Sequence, residues 1–107
     1  MITALVQFQL GSDATAASAA AIFRSTAPLY QGLPGLIRKY YLFDPLSRRG
    51  GGCYLFDNRA AATAAFDDRW RARVTEKYGS SPEITYFETP VVVDNRSHEI
   101  IGMDEGA

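Results

Sequence analysis

The sequence predicts an α+β fold with the order strand, helix, strand, strand, helix, strand, and three observations carry that prediction. Four segments show the apolar alternation or the aromatic and β-branched density of strands. Two others carry apolar residues at helical spacing. The strand segments are apolar on both faces, yet two helices cover only one face of a sheet, so something else must bury the second.

The first strand is read from Ile2 to Leu10, where Gln7 and Gln9 set a period of two. Gly11-Ser12-Asp13 ends it and supplies a helix N-cap. The first helix runs from about Ala14 to Tyr30, with Ile22, Phe23, Ala27 and Tyr30 at helical spacing. Its many alanines let the backbone approach the sheet, and Gly32, Pro34 and Gly35 stop it. Leu36 to Phe43 is the second strand, closed by Asp44-Pro45. Ser47 to Gly52 reads as a flexible polar turn leading into a third strand, Cys53 to Phe56, so that the two strands form a hairpin.

Asp57-Asn58 caps a second helix whose Ala62, Phe66, Trp70, Val74 and Tyr78 follow one another at i+4 up to Gly79. Ile84 to Val93 is a long fourth strand, and Pro90 marks an edge or a bulge in it. This order is the ferredoxin-like βαββαβ arrangement, a four-stranded antiparallel sheet with both helices on one face. Residues 1–94 form that domain, and 95–107 are a C-terminal tail or partner-contacting arm.

With 107 residues and 47% hydrophobic content, the chain fits one domain with a single core. A formal net charge of -1, from 11 basic and 12 acidic residues, creates no field to attract nucleic acid or an anionic membrane. Cys53 and His98 are the only cysteine and histidine, which excludes an intrachain disulfide and a zinc site built from several such ligands. No apolar stretch approaches the ~20 residues of a membrane span, and a cytoplasmic protein is expected.

Two apolar sheet faces imply pairing of two sheets, and thus a homodimer enclosing a cavity. The Pro34-Gly35-Leu36 entry with Lys39 three residues on, the Gly51-Gly52-Cys53-Tyr54-Leu55-Phe56 strand before an Ala-rich helix, and Tyr78-Gly79 with Pro82-Glu83-Ile84 together resemble one family. It is the dimeric α+β barrel superfamily, in its YdhR-like monooxygenase branch, and the resemblance spans most of the chain. It implies a homodimeric barrel with a pocket between each sheet's open face and its helices, and an oxygenase activity. Some relatives oxidise polycyclic aromatic or quinol substrates without metal or flavin, while others bind haem through a histidine of the second helix. That helix has no histidine here, so the resemblance points to cofactor-independent oxidation of a small aromatic molecule by dioxygen.

Such chemistry needs a proton acceptor and an apolar chamber. The sheet's open face is expected to offer them, with Tyr54 and Phe56 turned inward beside Lys39 and Tyr41, Gln7 contributing from the first strand, and Trp70 closing the pocket from the second helix. Lys39 and Tyr54 are the catalytic candidates; Gln7, Tyr41, Phe56 and Trp70 are the substrate-binding ones. For Lys39 two readings stay open, a desolvated amine serving as base or a lysine snorkelling at the barrel rim. Tyr41 and Tyr54 either hydrogen-bond a substrate oxygen or sit at an interface with a wet hydroxyl. Trp70 is explained equally by its core neighbours, and Gln7 by a sheet-face hydrogen bond. Cys53 is expected to face the helices as a small buried hydrophobe.

Two other functions compete with the oxygenase. RNA-recognition domains share this strand order, but Gly51 and Cys53 stand where their base-stacking aromatics would be, so no nucleic-acid partner is expected. A non-catalytic dimer of the same fold that binds a small ligand stays open.

Overall fold

The computed structural model describes residues 1–102; part of the expected tail, residues 103–107, lies outside the described residues. The first strand, β1 (Ile2–Gln9), alternates fully, with Ile2, Ala4, Val6 and Phe8 buried on one face. Helix α1 spans Ala16–Thr26. Its cap is Thr15 rather than Asp13: the Ser18 N–H donates to Thr15 Oγ1 at 3.1 Å and the Thr15 N–H donates back to Ser18 Oγ at 2.9 Å. The helix stops short of Tyr30 because Pro28 lacks an N–H, and a single 3₁₀ turn, Ala27–Leu29, follows and delivers Tyr30.

Strand β2 (Leu36–Phe43) pairs with β3 (Arg49–Phe56), which is longer than expected. The three glycines belong to the strand, not to the turn. The reversal is Asp44–Arg48 instead, closed by the Arg48 N–H on the Asp44 carbonyl at 2.8 Å and by the Leu46 N–H on Asp44 Oδ1 at 3.0 Å. Gly51 has φ 153°, and a Cβ there would lie 1.8 Å from the Val6 carbonyl oxygen, so this central strand approaches β1 more closely than any side chain allows.

The expected second helix is two: α2 (Arg59–Ala65) and α3 (Asp68–Tyr78). Asp67 breaks the run, since its carboxylate accepts the Trp70 N–H at 2.8 Å and so caps α3, which ends at Gly79 in the left-handed conformation. The expected long fourth strand is likewise divided at Pro90 into β4 (Glu83–Glu88) and β5 (Val91–Asp94). β5 pairs with β6 (Glu99–Gly102) as a separate antiparallel ribbon. Arg38 Nη2 holds that ribbon to β2 through Asp94 Oδ2 at 3.0 Å, while Val91, Val93, Ile100 and Ile101 remain exposed.

The main sheet has the order β2-β3-β1-β4, antiparallel throughout. This is the predicted ferredoxin-like α+β topology. Its core joins the inner residues of β1 and β3 to Ala19 and Phe23 of α1, Ala62 of α2, and Phe66, Trp70 and Val74 with α3. Phe66 makes edge-on contacts with both Tyr54 and Phe56, which adds roughly 0.5–1.5 kcal/mol per pair to simple area burial. The opposite sheet face carries Leu5, Gln7, Cys53 and Leu55, together with exposed Tyr40, Leu42 and Phe87. Among the described residues no helix is long and apolar enough to cross a membrane.

Candidate functional site

The register decides which candidates meet. Lys39 lies opposite Tyr54, and Tyr54 opposite Ala4, one of the buried residues of β1, so Lys39, Tyr41, Tyr54 and Phe56 share the helix-facing side. The expectation that the open face holds them is corrected: Tyr54 and Phe56 belong to the core between sheet and helices. Gln7 occupies the other phase of β1 and points to the open face, where its Oε1 accepts from Arg49 Nε at 3.4 Å; it does not join the cavity. Cys53 also lies on the open face, half-buried, and not against the helices.

On the helix side, the Lys39 amine is enclosed by tyrosines. Nζ lies 3.4 Å from the ring centroid of Tyr30, 3.7 Å from that of Tyr41 and 4.6 Å from that of Tyr54. Gly52 makes this possible, because a Cβ there would lie 2.8 Å from Tyr54 and 3.2 Å from the Lys39 side chain. Trp70 closes the far side, donating its Nε1–H to the Tyr30 hydroxyl at 3.0 Å. The Tyr41 hydroxyl is 2.8 Å from Thr26 Oγ1, which fixes the ring against Phe23. Phe56 lies stacked beside Tyr54 with no exposed surface, so it shapes the floor without reaching the space above.

The enclosed space is small, about 30 Å³, and is lined also by Phe8, Arg73, Val74, Lys77 and Tyr78. Tyr41 separates it from an apolar cleft of about 380 Å³ between α1 and β2, walled by Ala16, Ala19, Ala20, Phe23, Ala27 and Phe43. The alanines of α1 create that room, and its volume falls within the range of small-molecule sites.

Burial, with the nearby positive charge of Arg73 adding to it, pulls the Lys39 amine down to about 6. The three ring faces favour the ammonium and oppose this fall. Among the described residues no carboxylate lines the cavity to add to them. Burial also raises the phenols: Tyr54 lies far above its usual range, next to Tyr30, and Tyr78 is pushed up to about 12. At neutral pH the site thus presents a neutral amine, able to take a proton, beside phenols that keep theirs.

Sequence reasoning missed Tyr30, Arg73, Lys77 and Tyr78. Tyr78 belonged to the recognised i+4 series, and Arg73 and Lys77 flank it one turn apart, so the helical spacing carried a signal for three of them. Tyr30 was read as the last member of the first helix's spaced series, but its place in the cavity depends on the 3₁₀ turn, which that spacing does not reveal.

A ferredoxin-like sheet with its helices over one face is the fold this chain shares with solved structures. No protein-family model and no curated protein matches the sequence. Among solved structures the chain is similar to SnoaB, a cofactor-independent oxygenase from Streptomyces nogalater, with TM-score 0.60 and 17% identity over 86% of this chain and 95% of that one. It is also similar to a candidate antibiotic biosynthesis monooxygenase from Deinococcus radiodurans, with TM-score 0.60 and 14% identity over 88% of this chain and 97% of that one. At these identities the likeness is one of fold.

Proposed function

We propose that the protein is a cofactor-independent monooxygenase that oxidises a small aromatic or polycyclic, quinol-type substrate as a homodimeric barrel. The observation that carries this reading is the desolvated amine of Lys39 enclosed by tyrosine faces next to an apolar cleft of ring-accepting size. The likeness to an oxygenase described as cofactor-independent supports it. The half-buried Leu5 and Leu55 with exposed Tyr40, Leu42 and Phe87 on the open face support pairing of two sheets.

In this mechanism Lys39 accepts the proton of a substrate phenol or enol and then pairs with the anion as ammonium. Tyr54 remains a phenol and donates a hydrogen bond to the developing oxyanion. Tyr41 and Trp70 hold the ring; Phe56 acts only by supporting Tyr54. The electron-rich anion reduces dioxygen directly. For a substrate with a ring methylene, one oxygen atom becomes a carbonyl at that carbon and the other leaves as water with both methylene hydrogens, a four-electron oxidation that needs no further reductant.

The test is oxygen uptake by metal-free, flavin-free protein supplied with anthrone. Lys39→Met should lower turnover by roughly 10²–10⁴-fold, the range of a lost general base, and Tyr54→Phe should lower it less, with the dimer intact by native mass spectrometry. Full turnover in both variants rejects the residue assignment. No oxygen uptake with any hydroxylated polycycle rejects the reaction class.

A further inference from the structure

The mouth of the tyrosine-walled cavity has a one-sided charge. Lys39 lies inside it, and Arg73 and Lys77, one turn apart on α3, line its rim. Among the described residues no aspartate or glutamate lines it, and the ion pairs are Arg38 with Asp94 and Arg49 with Glu83, so neither rim cation is compensated. Two uncompensated cations at the edge of a partly dry space repel one another, and a small anion between them removes that repulsion.

We propose that this cavity mouth receives the anionic group of an acidic aromatic ligand, whose ring lies toward Tyr41 and the apolar cleft. The proposal rests on the oxygenase reading above and names its substrate class: aromatic acids rather than neutral phenols. The groups facing Lys39 come from every wall, namely Tyr30 after the 3₁₀ turn, Tyr41 on its own strand, Tyr54 on β3, and Arg73, Lys77 and Tyr78 on α3. Of these, Arg73 and Lys77 stand exposed at the rim, where an anionic group can meet them while Lys39 keeps its role as base.

The test compares 2-naphthoate with its neutral near-isostere 2-naphthamide by titration calorimetry without oxygen. Naphthoate should bind at least about ten-fold tighter, as one charge-assisted contact provides. The double variant Arg73→Gln, Lys77→Gln, at two exposed positions, should lose about ten-fold in naphthoate affinity and none for naphthamide. Equal affinity for the two probes, binding of neither at millimolar concentration, or unchanged naphthoate affinity in the double variant overturns the proposal. Because oxygen is absent, preserved naphthoate binding in a protein that never consumes oxygen discredits the oxygenase reading alone. Turnover of neutral phenols without naphthoate preference discredits this one alone.

Discussion

Replacing Lys39 with methionine tests the burial of that amine through stability, independently of any activity. In the unfolded chain the amine titrates near its ordinary value of 10.5, and in the folded protein near 6. Between those values the unfolded state binds one more proton than the folded state, so the stability of the native protein rises with pH across that window. The slope is about 1.4 kcal/mol per pH unit for one proton, which amounts to about 4 kcal/mol between pH 6.5 and 9.5. Methionine fills nearly the same space, keeps the aromatic contacts through its thioether and has no proton to bind. The assay is urea unfolding of both proteins at half-unit steps from pH 6.5 to 9.5, where tyrosine ionisation in the unfolded chain is common to both and cancels in the difference. The wild type should gain stability with pH relative to Lys39→Met, and the variant should be the more stable protein at pH 7 by a few kcal/mol. A difference that is flat with pH would show that the amine stays protonated in the fold, and the cavity would then hold an ammonium held by ring faces instead of a base.

Two further outcomes follow from the same geometry. Gly51→Ala should destabilise by about 3 kcal/mol or more, because its Cβ meets the Val6 carbonyl and its backbone conformation disfavours a side chain, and chemical denaturation against Gly50→Ala separates this from a general loss of glycine. The raised phenols of Tyr54 and Tyr78 make their contribution to stability fully present below pH 10 and lost as pH climbs through their folded values, so ultraviolet titration should show at least two tyrosines ionising only with alkaline unfolding, at about pH 12 or above. Two tyrosines fewer in that late step would refute their burial.

Much of this was legible in the residues. The span Leu36–Phe43 is a strand with both limits as read, since Gly35 and Asp44-Pro45 punctuate it on each side. That Lys39 shares a face with Tyr41, and Tyr54 with Phe56, follows from alternation alone; that the two pairs share one face depends on the register between the strands. Which face the helices cover does not follow from alternation, which is indifferent to that choice. The decisive signal was in β1: one phase, Ile2, Ala4, Val6 and Phe8, has no polar member, whereas Gln7 and Gln9 share the other with Thr3. An all-apolar phase belongs under the helices, which sends Gln7 outward. The break at Phe66 was hidden by an uninterrupted i+4 series, although Asp67 is a poor helix-interior residue and a good cap. The glycines of β3 misled because a run of three reads as a turn, and only the approach of β1 shows why a strand requires them.

The wall of the cavity is uneven in its resistance to opening. Tyr30 sits at the end of a single 3₁₀ turn that buries none of its residues, and its hydroxyl is tied to the protein by the Trp70 indole. Its N–H rests on the Ala27 carbonyl at 3.0 Å and supports the next turn, where the Leu33 N–H reaches the Tyr30 carbonyl at 3.3 Å. A segment with so little apolar burial lies at the low end of the local opening free energies of a domain, whereas the strand that carries Tyr54 lies at the high end. Amides from Tyr30 to Leu33 should therefore exchange with solvent deuterium well before those of Cys53 to Phe56. The weakest wall of a cavity that is small at rest is thus this one turn, and not the sheet that forms its floor.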